Sequence, residues 1–212
     1  MKIKVVKNIL DANEQMAAEN KLLFKKRGVV AVNIMASPGA GKTSLILRTI
    51  EELGEPIAVI EGDIASTFDA EKVGEKQVPV VQINTGGACH LDASMIRTSL
   101  DKLRMDKAKY LFIENVGNLV CPAEFQLGEN VRVLVASVPE GDDKPFKYPG
   151  MFSTVQAIVL NKMDIVRFID FSVARFMDGV RAVNAKAPVF QVSCRTKEGI
   201  PEWIDWLRTI KS

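Results

Sequence analysis

Short, dense runs of apolar, β-branched and aromatic residues punctuate the chain at Val29–Ala36, Ile57–Asp63, Val78–Asn84, Tyr110–Asn115, Val131–Val138, Thr154–Lys162 and Pro188–Cys194. Runs of this length, closed by Gly, Pro, Asn or charged residues, read as strands buried on both faces. Between them lie polar stretches whose apolar residues recur at helical spacing. Leu10–Arg27 carries Leu10, Met16, Ala17, Leu22, Leu23 and Phe24 in this way, as an amphipathic helix leading in. Ser44–Leu53 ends at Gly54 as a helix does, and Leu91–Leu103, Phe171–Asn184 and Ile200–Ile210 follow the same period. Ile64–Gln77 is polar and part helical. Strands alternating with helices predict an α/β fold, a mostly parallel central sheet flanked by helices on both faces. Residues 1–28 are expected to form an N-terminal helical lead-in and residues 29–212 the main domain. Pro139–Gly150 (PEGDDKPFKYPG) reads as a long functional loop. Trp203 and Trp206, at helical spacing, read as core packing of the last helix. The lead-in helix either packs on its own domain or contacts a partner, and the pattern leaves both open.

Composition narrows the class. A chain of 212 residues with 47% hydrophobic and 25% charged positions is ordinary for a soluble globular domain. Lys plus Arg number 28 against 26 Asp plus Glu, so a mainly electrostatic nucleic-acid binder is not expected. No apolar run approaches the roughly 18 residues of a membrane span. The N-terminal MKIKVVKNIL, broken by Lys7, Asn8 and Asp11, lacks the apolar core of a signal peptide. A cytoplasmic protein with no membrane and no nucleic-acid partner is expected. Three Cys are too few and odd in number for a disulfide framework, and the single His argues at first against metal chemistry.

The strongest local signal is Ala36-Ser37-Pro38-Gly39-Ala40-Gly41-Lys42-Thr43-Ser44, placed between a strand and a helix. Glycines there let the backbone approach a phosphate, and the freed amides and helix N-terminus point at the anion. Lys42 would reach the β- and γ-phosphates, and the Thr43 hydroxyl would ligate Mg²⁺. This is the relaxed form of the phosphate-binding loop, with Ala36 in place of the usual first Gly, and it makes the sheet one of the P-loop NTPase fold. A second motif, Asn161-Lys162-Met163-Asp164, ends a later strand. Its carboxylate can accept hydrogen bonds from guanine N1–H and the exocyclic amine, donors that adenine does not offer there. Lys162 can lay its stem over the base and Asn161 can tie loops together. Ser193-Cys194-Arg195, after the last strand, resembles a guanine loop whose amides meet the base oxygen. GTP is therefore the expected nucleotide.

Two acids complete the expected machinery. Glu114, in Glu114-Asn115-Val116-Gly117, would serve Mg²⁺ through water while the Gly117 amide senses the γ-phosphate. Asp63, ending the strand after the phosphate-loop helix, would face Mg²⁺ or the attacking water. Asn118 rather than Gln follows Gly117, so slow intrinsic hydrolysis is expected. Lys42, Asp63 and Glu114 are the catalytic candidates.

Cys89-His90 and Cys121 fall in loops after strands, on the side where nucleotide loops gather. Thiolate and imidazole suit Zn²⁺ or Ni²⁺. The residues alone leave open that the cysteines are merely small buried hydrophobes and the histidine a surface residue. Three ligands are one short of a tetrahedral site, which water or a second protomer could complete. A GTPase that gates metal transfer, a nucleotide switch with structural cysteines, and a small-molecule kinase all remain compatible with these motifs.

Four segments together, GACHLDASMI, ENVGNLVCPAEFQLGE, EGDDKPFKYPGMF and NKMD, resemble the HypB family of nickel-incorporation GTPases, which mature [NiFe]-hydrogenases. The likeness runs from about Asn13 to the C-terminus. The related urease accessory family, UreG, would be expected to carry Cys-Pro-His, whereas here Cys89 and His90 are adjacent and Cys-Pro stands at Cys121-Pro122. The resemblance implies a dimer-forming SIMIBI-class P-loop GTPase, with GTP promoting the homodimer. It implies Ni²⁺ or Zn²⁺ on Cys89, His90 and Cys121 at the dimer interface. It implies work with the nickel chaperone HypA and the hydrogenase large-subunit precursor as metallochaperone partners. Some members carry Cys- or His-rich N-terminal tracts. The first 28 residues here contain neither residue, so only the domain site is expected.

Overall fold

The computed structural model describes residues 5–64 and 68–212. The start of the basic N-terminal stretch and part of Ile64–Gln77 lie outside the described residues. Strands β1 (Val30–Ala36), β2 (Ile57–Asp63), β3 (Val80–Asn84), β4 (Tyr110–Glu114), β5 (Val131–Ser137), β6 (Ala157–Asn161) and β7 (Val189–Gln191) form one sheet, ordered β3-β2-β4-β1-β5-β6-β7. Every pairing is parallel. β1 (VAVNIMA) is buried at every position, as a central parallel strand covered on both faces must be.

Helices α1 (Val5–Arg27), α2 (Lys42–Leu53), α3 (Phe68–Gly74), α4 (Ala93–Leu100), α5 (Lys144–Lys147), α6 (Pro149–Ser153), α7 (Val173–Val183) and α8 (Ile200–Thr209) cover the sheet. Period-two alternation along β1 divides the core. Val30, Val32 and Ile34 pack with Leu45 and Ile46 of α2 and Trp203 of α8. Val29 and Ala31 pack under Phe24 of α1 and Ile96 of α4. Met35 joins Phe152 of α6 and Phe176 of α7. Trp203 is fully buried, stacks on Trp206, and donates its indole N–H to Thr49 at 2.9 Å. Among the described residues no helix is long and apolar enough to cross a membrane.

Boundaries move for local reasons. α2 starts at Lys42 rather than Ser44, because Gly41 takes the left-handed conformation of the cap. α4 starts at Ala93 because Asp92 caps it, accepting from Met95 N at 2.8 Å. The expected loop at Pro139–Gly150 is instead mostly helical turns: a 3₁₀ turn at Val138–Glu140, then α5 and α6. Pro145 and Pro149 each sit in the first turn of a helix, where their missing N–H costs nothing. Glu140 closes a capping box with Ser137.

Candidate functional site

Parallel register assembles the site at the carboxyl ends of the strands. Glu114 of β4 lies beside Ile34 of β1 on one side and Glu61 of β2 on the other. The phosphate loop leaves β1 just beyond that level. Two cavities open there. One of about 550 Å³ runs from Gly39 and Gly41–Ser44 to Asn161, Lys162, Asp164, Cys194 and Arg195, with Ala40 turned into the core instead. A smaller one of about 240 Å³ is lined by Pro38, Glu61–Ile64, Asp69, Val116 and Gly117. Lys42, Asp69 and Glu114 border both.

The Thr43 hydroxyl donates to Glu114 Oε1 at 2.8 Å, and Lys42 Nζ stands 4.0 Å from the same oxygen. Gly117 lies against the phosphate loop so closely that a Cβ would meet Pro38 at 3.0 Å. Asp63 is half-buried and lines the smaller cavity. Ser37 is half-buried, its carbonyl accepting from Ala40 N at 3.4 Å, and it lines neither cavity.

Sequence reasoning missed two acids. Glu61, Asp69 and Glu114 each place a carboxylate oxygen within 4.8 Å of the others. Glu61 and Glu114 are only 2% exposed, and Oε2 of each has no hydrogen-bond partner. Burial raises the Glu61 carboxyl to about 8, with the neighbouring Glu114 carboxylate adding to it. Burial raises Glu114 to about 7 against the opposing pull of Lys42 and Thr43. Orphaned buried oxygens beside a phosphate loop suit a hard divalent cation with oxygen ligands, so the donor set fits Mg²⁺. The signal in the sequence was Glu61 two positions before Asp63, on a strand whose neighbour also ends in an acid.

At the base end, Asn161 joins three segments. Its Nδ2 donates to the Ala40 carbonyl at 3.0 Å, and its Oδ1 accepts from Lys162 N and Cys194 N. Lys162 adopts a left-handed backbone, φ 64°, uncommon outside glycine. Its ammonium donates to the Gly39 carbonyl at 2.7 Å. Asp164 accepts from the Ser193 hydroxyl at 2.8 Å and faces Arg195 at 3.9 Å. Ser193 is fully buried, so it holds Asp164 from beneath the cavity rather than lining it. Arg48 of α2, a residue that sequence reasoning did not single out, donates to the Cys194 carbonyl at 2.6 Å. Cys194 packs into the core, and burial pushes its thiol up to about 11.

The scarce sulfur and imidazole donors converge. The Cys89 thiol donates to Cys121 Sγ at 2.9 Å, and Cys89 Sγ lies 3.8 Å from His90 Nδ1. One ligand atom from each of the three residues falls within 4.8 Å of the others. All three are half-buried, and the His90 ring lies on Phe125 with centroids 3.9 Å apart. Burial lowers the His90 pKa, which favours the neutral ring that a metal needs. Cys194 stands apart from this group.

An all-parallel sheet with a phosphate loop at the end of its central strand defines a P-loop nucleotide-binding protein. Residues 30–191 match the model of the CobW/HypB/UreG nucleotide-binding domain. The chain belongs to the HypB family of hydrogenase maturation factors. It is 47% identical over 207 residues to the hydrogenase maturation factor HypB of Azotobacter vinelandii, covering 97% of this chain and 68% of that protein. The crystal structure of HypB from Helicobacter pylori in complex with nickel is 35% identical, with a TM-score of 0.90 over 95% of this chain and 98% of that one. HypB from Archaeoglobus fulgidus is 40% identical, with a TM-score of 0.88 over 94% and 98%.

Proposed function

We propose that this protein hydrolyses GTP to GDP and phosphate, slowly, and uses nucleotide state to gate delivery of nickel to a [NiFe]-hydrogenase large-subunit precursor. The observation that carries the reading is the convergence of Cys89, His90 and Cys121 within 4.8 Å, beside the loop that follows Glu114. The nickel-bound relative of the same fold supports it.

In this reading the amides of Ser37–Ser44 and the Lys42 ammonium hold the phosphates. Thr43, Glu61, Asp69 and Glu114 hold Mg²⁺, which when bound neutralises charge on the β- and γ-phosphates. Asp63 orients the attacking water, and the Gly117 amide reports the γ-phosphate. Asn118 stands where a water-positioning Gln would, and its Oδ1 already accepts from Val120 N at 2.8 Å, in keeping with a slow rate. Asp164 selects guanine, with Ser193 and Arg195 orienting its carboxylate. Two thiols and an imidazole per chain leave a coordination position for a second protomer, so a homodimer formed with GTP shares the cargo. The same donors accept Zn²⁺. HypA and the precursor are the partners, and the cytoplasm is the compartment.

The test is metal content and nucleotide preference of the purified protein. Wild type should take up Ni²⁺, and the Cys89→Ala/His90→Ala/Cys121→Ala variant should not. Full stoichiometry in that variant rejects the metal assignment, and equal affinity for ATP and GTP rejects the nucleotide assignment.

A further inference from the structure

The lead-in helix α1 carries two asparagines on its buried face, Asn13 at 8% and Asn20 at 0% exposure. A helix that only packed on a domain would place apolar residues there, because a buried amide is costly unless bonded. Both polar atoms of the Asn13 amide and the Nδ2 of Asn20 are bonded, Asn20 Oδ1 alone being left without a partner, and the bonded partners share a theme. Asn13 Oδ1 accepts from Ala93 N and its Nδ2 donates to the Gln126 carbonyl, both at 2.8 Å. Asn20 Nδ2 donates to the Ala93 carbonyl at 2.8 Å and to the Leu127 carbonyl at 3.1 Å. Ala93 follows Cys89-His90 by a few residues, and Gln126-Leu127 follow Cys121 by a few. Each asparagine therefore bridges the two segments that carry the sulfur and imidazole donors.

The fit is close on both sides. Gly128, at φ +96°, lies so near α1 that a Cβ would come within 2.6 Å of the Ala17 carbonyl oxygen. Phe125, just before the bridged carbonyls, supports the His90 ring.

We infer that α1 is part of the metal centre: Asn13 and Asn20 are positioning residues that set the spacing of the Cys89-His90 and Cys121 loops for a divalent metal cargo. The inference rests on the reading that those three residues bind nickel. Asn13 and Asn20 touch no metal ligand themselves and act through the backbone of residues 93, 126 and 127.

The experiment uses the full chain with Asn13→Ala and, separately, Asn20→Leu, which keeps volume and removes the donor. Three quantities are read: Ni²⁺ affinity by competition with a chromophoric chelator, GDP affinity, and the metal-free effective concentration of the Cys89–Cys121 thiol pair. The last comes from a glutathione redox buffer, in which two protein thiols and one glutathione disulfide give one protein disulfide and two glutathione thiols. Loss of an orienting partner should weaken nickel binding by about tenfold or more. The thiol-pair effective concentration should fall with it, while GDP affinity stays at the wild-type value. Wild-type nickel and thiol-pair values in the folded variants overturn the inference, as does a parallel loss of GDP affinity, which would make α1 a general brace. Asn13 is nearer the rim, so Asn13→Ala decides alone should Asn20→Leu not fold. If nickel binding survives Cys89→Ala while the thiol pair still responds to Asn13→Ala, the cargo assignment fails and the positioning role stands.

Discussion

The side-chain oxygen of Asn115 accepts the backbone N–H of Leu91 at 3.1 Å. Asn115 directly follows Glu114, which holds the phosphate-loop Thr43, and Leu91 directly follows His90. One fully buried amide thus ties the end of β4 to the Cys89-His90 loop. Its other end continues the connection: Asn115 Nδ2 donates to Asn33 Oδ1, and Asn33 Nδ2 donates to Glu129 Oε1, each at 3.2 Å. Glu129 pairs with Arg132 at 2.6 Å, and that guanidinium donates to the Ala123 and Phe125 carbonyls beyond Cys121. A chain of satisfied, buried polar groups of this kind is stiff and has few alternative arrangements.

The first prediction follows from that chain. Asn115→Ala leaves the Leu91 N–H without its partner, at a cost of about 1–3 kcal/mol in stability. The nickel affinity of this variant should cease to respond to a non-hydrolysable GTP analogue. Asn115→Asp keeps the acceptor for Leu91 and should retain more of the response. Calorimetric titration of Ni²⁺ with and without the analogue reads both, and an undiminished response in Asn115→Ala removes the residue from the coupling.

Guanine selection supplies the second. Asp164 is held by Ser193 and approached by Arg195. With Asp164→Asn, the guanine amine and N1–H meet a donor, and GTP affinity should fall about a hundredfold or more. Xanthosine triphosphate, which offers an oxygen where guanine has its amine, should bind better than GTP. Competition against a fluorescent nucleotide measures the reversal, and a variant that still prefers GTP removes Asp164 from base recognition.

How much of this was legible beforehand divides by range. The phosphate loop and Asn161–Asp164 were legible because their chemistry is contiguous and flanked by strand and helix patterns. The strands were legible because each is a short apolar run. Glu61, Asp69, Asn13 and Asn20 were not. Glu61 matters through parallel register with Glu114, and the asparagines matter through the docking of α1, a relation between segments far apart in the chain. Pro139–Gly150 misled because proline and glycine read as loop punctuation, whereas Pro145 and Pro149 begin helices.

Packing gives the third prediction. Trp203 fills the core between α2 and α8 and donates to Thr49, which itself donates to the Leu45 carbonyl at 2.7 Å. Trp203→Ala should cost about 3–5 kcal/mol. Trp203→Phe should cost less, the remainder reflecting the lost indole donor. Urea unfolding of both variants orders them: a Trp203→Phe protein as stable as wild type would mean that the indole hydrogen bond contributes nothing, and equal losses in the two variants would mean that the ring packing does not.

The last concerns pH. Burial and the Glu114 carboxylate raise Glu61 to about 8 in the folded protein, against about 4.3 for an unperturbed glutamate. Between those values the folded state binds more protons than the unfolded state, so stability of the nucleotide-free protein falls as pH rises through that window and levels off above it. Glu114, raised to about 7, contributes a slope of the same sign that ends earlier. Glu61→Gln keeps shape and removes one titrating group. It should be more stable than wild type at pH 9 by on the order of 1–2 kcal/mol and show a shallower decline between pH 6 and 9. Saturating Mg²⁺ with GDP should flatten the wild-type decline as well, because a bound cation stabilises the ionised carboxylates. Urea midpoints across that range, with and without Mg²⁺ and GDP, carry the test. A Glu61→Gln protein as pH-sensitive as wild type would show that the carboxyl is already ionised in the folded chain.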